Sequence, residues 1–79
     1  MKVTVRYFAG AREAAGVPEE TASAATVREL LDGLATRDER LARVLAVCSY
    51  LVDGLAVRDL DLALSDGATV DVLPPFAGG

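Results

Sequence analysis

Thr26-Val27-Arg28-Glu29-Leu30-Leu31-Asp32-Gly33-Leu34 carries both a start signal and a periodicity. Thr26 with Glu29 three residues on forms a capping box: the threonine hydroxyl accepts from a first-turn amide while the glutamate reaches back to the cap amide. Val27, Leu30, Leu31 and Leu34 then recur at i, i+3, i+4 and i+7, the apolar stripe of one helix face. What precedes this helix is extended. Lys2 to Phe8 alternates with period two, so Val3, Val5 and Tyr7 share one face while Lys2, Thr4, Arg6 and Phe8 share the other. Glu19 to Ala25 reads as a weaker second strand, and its alanines and serines suit an edge. Between the two, Gly10 and Gly16-Val17-Pro18 bracket Ala11 to Ala15, a helical turn within a loop.

Downstream of the helix, Thr36 to Glu39 repeats the box, and Leu41, Val44 and Leu45 give a brief second helix over Asp38 to Leu45. Ser49-Tyr50-Leu51-Val52 and Leu55-Ala56-Val57 flank Asp53-Gly54, a dipeptide that accepts the positive φ angles of a tight hairpin turn. Leu60, Leu62 and Leu64 alternate with Asp59, Asp61 and Ser65 before a second turn at Asp66-Gly67. Thr69 to Leu73 is the last strand, with Val70 and Val72 inward and Thr69, Asp71 and Leu73 outward. Pro74-Pro75 ends it, because neither proline donates to a ladder. This order predicts an α+β roll of the β-grasp (ubiquitin-like) kind, a mixed sheet packed on one main helix with the first and last strands as parallel central neighbours. The expected division is a domain over 1–75 and a flexible diglycine tail over 76–79.

Composition narrows the chemistry. The 79 residues hold 8 Lys+Arg and 12 Asp+Glu, a net charge of −4, and 14 of the apolar residues are alanine, which leaves enough bulk for one thin core and no large cleft. There is no His, one Cys and no Trp, which removes His-based acid–base catalysis, Cys/His zinc sites and an internal disulfide. The acidic balance without a basic cluster argues against nucleic acid, and no apolar run approaches the length of a bilayer span. A cytoplasmic location is the default expectation. Cys48, within Val47-Cys48-Ser49-Tyr50, has no histidine base and reads as a small buried hydrophobe rather than a nucleophile.

The end of the chain is where chemistry concentrates. If the first and last strands pair as expected, Phe8 and Leu73 finish at one end of the outer face, and with Phe76 they form an apolar cluster of docking character; the alternative is that Phe8 packs beneath a loop. Gly78-Gly79 by chance has a frequency of about 0.5 % at any one place, given glycine at about 7 %. Without a Cβ such a tail is slim, and four residues reach at most about 14 Å, enough to thread a narrow channel in another protein while the body stays outside. A carboxylate delivered there must first be activated, most simply as an acyl-adenylate, and with no Gly-rich phosphate loop in this chain a partner must do it.

Tyr7-Phe8-Ala9 followed by Arg12-Glu13 and Gly16, the Thr26-Val27-Arg28-Glu29-Leu30-Leu31 helix start, and the ending Asp66-Gly67-Ala68-Thr69-Val70 through Pro74-Pro75-Phe76-Ala77-Gly78-Gly79 resemble the MoaD family, the small sulfur-carrier subunits of molybdopterin synthase within the ubiquitin-like ThiS/MoaD group. The resemblance implies that a MoeB-like enzyme uses ATP to adenylate Gly79 and that a sulfurtransferase relay converts it to a thiocarboxylate. The tail then enters a MoaE-like large subunit in a heterotetramer and gives up sulfur to the pterin precursor. The chain is then not catalytic alone and binds no cofactor itself. On the same resemblance Gly79 bears the sulfur and Gly78 keeps the tail slim. Phe8, Leu73, Pro74, Pro75, Phe76 and Ala77 are partner-facing, Arg12 helps the contact, and the two large partners exclude one another. Asp53, where many relatives have Asn, and Ala68-Thr69, in place of an acidic pair, depart from the family pattern and bear on which activating enzyme is preferred. A carrier for thiamine, cysteine or tRNA thiolation, or a ubiquitin-like modifier, remain the alternatives. The acidic net charge predicts basic partner surfaces.

Overall fold

A computed structural model describes residues 1–75. The elements run β1 (Lys2–Tyr7), α1 (Ala9–Ala15), β2 (Glu19–Ser23), α2 (Val27–Arg37), α3 (Glu39–Leu45), β3 (Ser49–Val52), β4 (Leu55–Ala56) and β5 (Thr69–Leu73). They form one five-stranded sheet ordered β2-β1-β5-β3-β4. As expected, β1 and β5 are parallel neighbours at its centre, with Val5 opposite Val70 and Tyr7 opposite Val72. The second strand lies at the edge, antiparallel to β1.

Alternation fixes which face is buried. Val3, Val5 and Tyr7 from β1 and Val70 and Val72 from β5 are almost wholly enclosed, and Val27, Leu30, Leu34, Leu41 and Leu45 close over them from α2 and α3. Each such aliphatic side chain contributes about 1.5–3 kcal/mol by leaving water. Leu31, the fourth member of the helix stripe, is only half-buried. Ala68, at one departure from the family pattern, is 4 % exposed and part of this core, so an acidic side chain would not be accommodated there without cost.

The start of α2 is satisfied more fully than a capping box requires. Thr26 Oγ1 accepts from Glu29 N at 3.2 Å, while Val27 N and Arg28 N donate to the carbonyls of Leu62 and Leu60 at 3.1 and 2.7 Å. The incoming loop thus fills the first-turn donors that a helix leaves open, and among the described residues no return bond from the Glu29 side chain is made. Leu60, Leu62 and Leu64 therefore serve a loop that docks on a helix start, with a single bridge from Ala63 to Thr26 and Leu64 buried as its anchor.

Three readings are corrected by the structure. Ala11 to Ala15 is part of a two-turn helix, Ala9–Ala15, because Ala11 and Ala14 are small enough to bury against the core. The cap of α3 is Asp38, whose Oδ1 accepts from Arg40 N and Leu41 N. Thr36 instead lies in the last turn of α2 and bonds back to Gly33 O. The hairpin turn forms as read, with Asp53 and Gly54 both at positive φ, 48° and 84°, but β4 stops at Ala56, short of Val57.

Candidate functional site

All three helices pack against one side of the sheet, so the other side is left uncovered by any helix. On it the register sets Arg6 beside Asp71 and Thr4 beside Thr69, with Ser49 beside Leu73 and Leu51 beside Asp71. Phe8 follows β1 in extended conformation, φ −123° and ψ 147°, and its amide donates to Val72 O at 3.2 Å. One further step of the parallel register therefore places Phe8 next to Leu73. Both are half-buried, and Pro74 and Pro75 leave the sheet from the same end. Phe76, Ala77, Gly78 and Gly79 lie outside the described residues, as does the sequence reading of them as a tail.

Arg6 joins this cluster unforeseen. Its Nε lies 3.5 Å from Asp71 Oδ1, and its guanidinium carbon is 5.4 Å from the centroid of the Phe8 ring, within cation–π range. The signal was present in sequence: Arg6 stands two residues before Phe8, and Asp71 two before Leu73, so a parallel pairing that aligns the ends also aligns the charges. Leu55, on the two-residue strand after the turn, is the most exposed large apolar side chain among the described residues at 75 % and was likewise not singled out.

Arg12 is exposed on α1 and lines a shallow groove with Glu13, Gly16, Val17 and Pro18, which contains neither Phe8 nor Leu73. Behind the cluster, Tyr7 is anchored from the buried side: its hydroxyl donates to Glu20 Oε2 at 2.7 Å, and Arg37 grips the same carboxylate through Nη1 and Nη2. The Arg37 bond, chiefly, holds the Glu20 carboxyl below the usual range despite partial burial. Burial first, and then the bond to Glu20, pushes the Tyr7 phenol well above its ordinary value.

Cys48 belongs to a different region. It is half-buried, its thiol donates to Val44 O at 3.1 Å, and burial pushes its pKa up, the opposite of an activated nucleophile. It shares a groove of about 290 Å³ with Leu31, Ala35, Leu45, Tyr50 and Leu60 on the helix side. Tyr50 donates to Leu45 O there, and burial pushes its phenol up to about 12. Among the described residues no group of acidic, cysteine or histidine side chains could hold a metal ion, and no helix is long and apolar enough to cross a membrane.

The family model described as the ThiS family matches residues 5–79. The chain belongs to the ThiS family. Among curated proteins it is similar to the molybdopterin synthase sulfur carrier subunit of Chlamydomonas reinhardtii, 36 % identical with all of both chains covered. Two solved structures place this ThiS-family chain among β-grasp proteins. One is the small archaeal modifier protein 1 of Methanosarcina acetivorans, 29 % identical, TM-score 0.87, covering 99 % of this chain and 96 % of that one. The other is the protein–protein complex of subunits 1 and 2 of the molybdopterin-converting factor from Helicobacter pylori, 28 % identical, TM-score 0.78, with both chains fully covered. The expected β-grasp fold and ThiS/MoaD membership are therefore established.

Proposed function

We propose that this chain is the sulfur-carrier subunit of a molybdopterin synthase. The observation that carries the reading is the exit of β5: the central strand ends beside Phe8 and Leu73 on the face free of helices, in a chain that matches such a carrier along its whole length. A large subunit would dock on that face, as subunit 2 pairs with subunit 1 in the H. pylori complex, and the segment beyond Pro75 would reach into it. A MoeB-like enzyme would join the Gly79 carboxylate to the α-phosphorus of ATP with loss of pyrophosphate. Persulfide sulfur from a sulfurtransferase would then displace AMP to give an acyl disulfide, and attack of a second thiol on the donor's sulfur would break its S–S bond, releasing the thiocarboxylate and leaving the two thiols joined as a disulfide.

The test is intact mass after incubation with an activating enzyme, ATP and a sulfur donor, with replacement of one oxygen by sulfur as the expected product. Removing Gly79 should abolish that product and leave folding and large-subunit binding in place. A variant without Gly79 that still supported molybdopterin formation would refute the assignment. The likeness to an archaeal modifier protein favours one second reading, conjugation to other proteins; lysine-linked adducts in place of a thiocarboxylate would select it.

A further inference from the structure

The ion pair on the uncovered face is lopsided. The Arg6 side chain is 49 % exposed and that of Asp71 only 17 %, so whatever approaches this face meets the cation and not the carboxylate. Asp71 Oδ1 is buried and receives no hydrogen bond among the described residues; the 3.5 Å separation is an attraction of charges without hydrogen-bond geometry. Arg6 spends its Nε side on Asp71 and lies over the Phe8 ring. The two Nη groups take no partner among the described residues.

A guanidinium held in this way differs from a free surface arginine. Its plane is fixed from two sides, so less side-chain entropy is lost when a partner arrives. Its remaining donors form a fork that matches a carboxylate through two parallel bonds. It also sits at the rim of an apolar contact, where arginine is a frequent energetic anchor. The net charge of −4 governs long-range steering; the local contact has the other sign.

We propose that Arg6 is the specificity residue of the docking face, held by Asp71 and Phe8 to receive a carboxylate of the large subunit beside the apolar contact at Phe8 and Leu73. This rests on the reading of that face as the docking surface of a sulfur carrier. Calorimetric titration with the large subunit of the same organism tests it, using Arg6→Ala, Arg6→Lys, the double variant Arg6→Ala with Asp71→Asn, and Leu73→Asp. Arg6→Ala should weaken binding by about tenfold or more, and Arg6→Lys should restore only part of it, because an ammonium cannot present the fork. The double variant should stay weak. If it instead binds as tightly as wild type, the loss in Arg6→Ala came from stranding Asp71, and the proposal is overturned. Wild-type binding by Arg6→Ala while Leu73→Asp binds poorly overturns the role of Arg6 and leaves the docking face intact. If Leu73→Asp also binds as wild type, the face itself has been misassigned.

Discussion

Replacing Asp53 separates a backbone role from a recognition role. Its Oδ1 accepts from Thr69 N at 2.9 Å, and its amide donates to Thr69 O at 2.9 Å, so the hairpin turn is laced to the first residue of β5. It does this from φ 48°, a left-handed conformation that Asp and Asn tolerate and other side chains resist. Asp53→Ala removes a bond to a charged acceptor, about 1.5 kcal/mol at the low end appropriate to an exposed site. It also adds about 1–2 kcal/mol of left-handed strain. The sum, about 2.5–3.5 kcal/mol, is a large share of the about 4–12 kcal/mol available to a domain of this size. It corresponds to a fall in Tm of about 10 °C or more. Asp53→Asn keeps the acceptor and the conformational tolerance and should lie within about 0.5 kcal/mol of wild type. Thermal and urea unfolding of both variants measure this. If Asp53→Asn is as damaging as Asp53→Ala, the charge and not the bond is what matters, and the backbone account fails.

Glu20 sets the acid limb of stability. Its carboxyl is depressed in the folded chain, so its contribution is complete above the ordinary carboxylate range and is lost as pH falls through that range toward the folded value. Urea midpoints against pH should therefore drop more steeply for wild type than for Glu20→Gln, and equal slopes would contradict the Arg37–Glu20–Tyr7 arrangement. Gly33 lies within α2 with nothing within 4 Å of where a Cβ would be, so Gly33→Ala should stabilise by about 0.8–1 kcal/mol, read as a raised urea midpoint. Cys48 should react with iodoacetamide more slowly than a free thiol at neutral pH and accelerate only well into alkaline pH; fast neutral alkylation would contradict its burial. In hydrogen exchange, the amides of Thr4 and Phe8, which donate to Ala68 O and Val72 O from the middle of the sheet, should be among the slowest, and that of Ala56 on the short edge strand among the fastest.

Much of this architecture was legible because its signals are local. The parity of Val3, Val5 and Tyr7 fixed the buried face of β1, the Thr26 cap and the leucine stripe fixed α2, and Asp53-Gly54 fixed the hairpin. The misreadings share a cause: each depends on what arrives from elsewhere. An Ala-rich stretch such as 9–15 has no stripe of large apolar residues, and it is helical because Ala11 and Ala14 fit against neighbours that local sequence does not identify. The leucines at 60, 62 and 64 alternate like a strand, yet the carbonyls of Leu60 and Leu62 go to the amides opening α2. Thr36 and Asp38 both suit a cap, and the choice between them turns on where α2 ends. At the site, the expected parallel pairing of the first and last strands brought Phe8 and Leu73 together, and the same register sets Arg6 beside Asp71; that pair was passed over because opposite charges on an outer face read as ordinary solvated residues.

That register also explains why a fold so small can serve as a carrier. The strand that leads to Gly79 is not an edge but the centre of the sheet, bonded on one side to β1 and on the other to β3. Its exit is thus tied to the part of the chain with the most enclosed side chains, Val70 and Val72 among them. With every described helix on the opposite side, docking on the proposed face would need no rearrangement of the core, and the apolar residues proposed to dock, Phe8 and Leu73, stand at the ends of the two strands that hold the exit in place. On the proposed function, a change at Leu73 should therefore act on partner affinity and a change at Gly79 on acyl chemistry. The two would be physically separable even though only five residues lie between them, because Pro74 and Pro75 stand between a side chain fixed by the sheet and a carbonyl that, on the proposed function, another protein must reach.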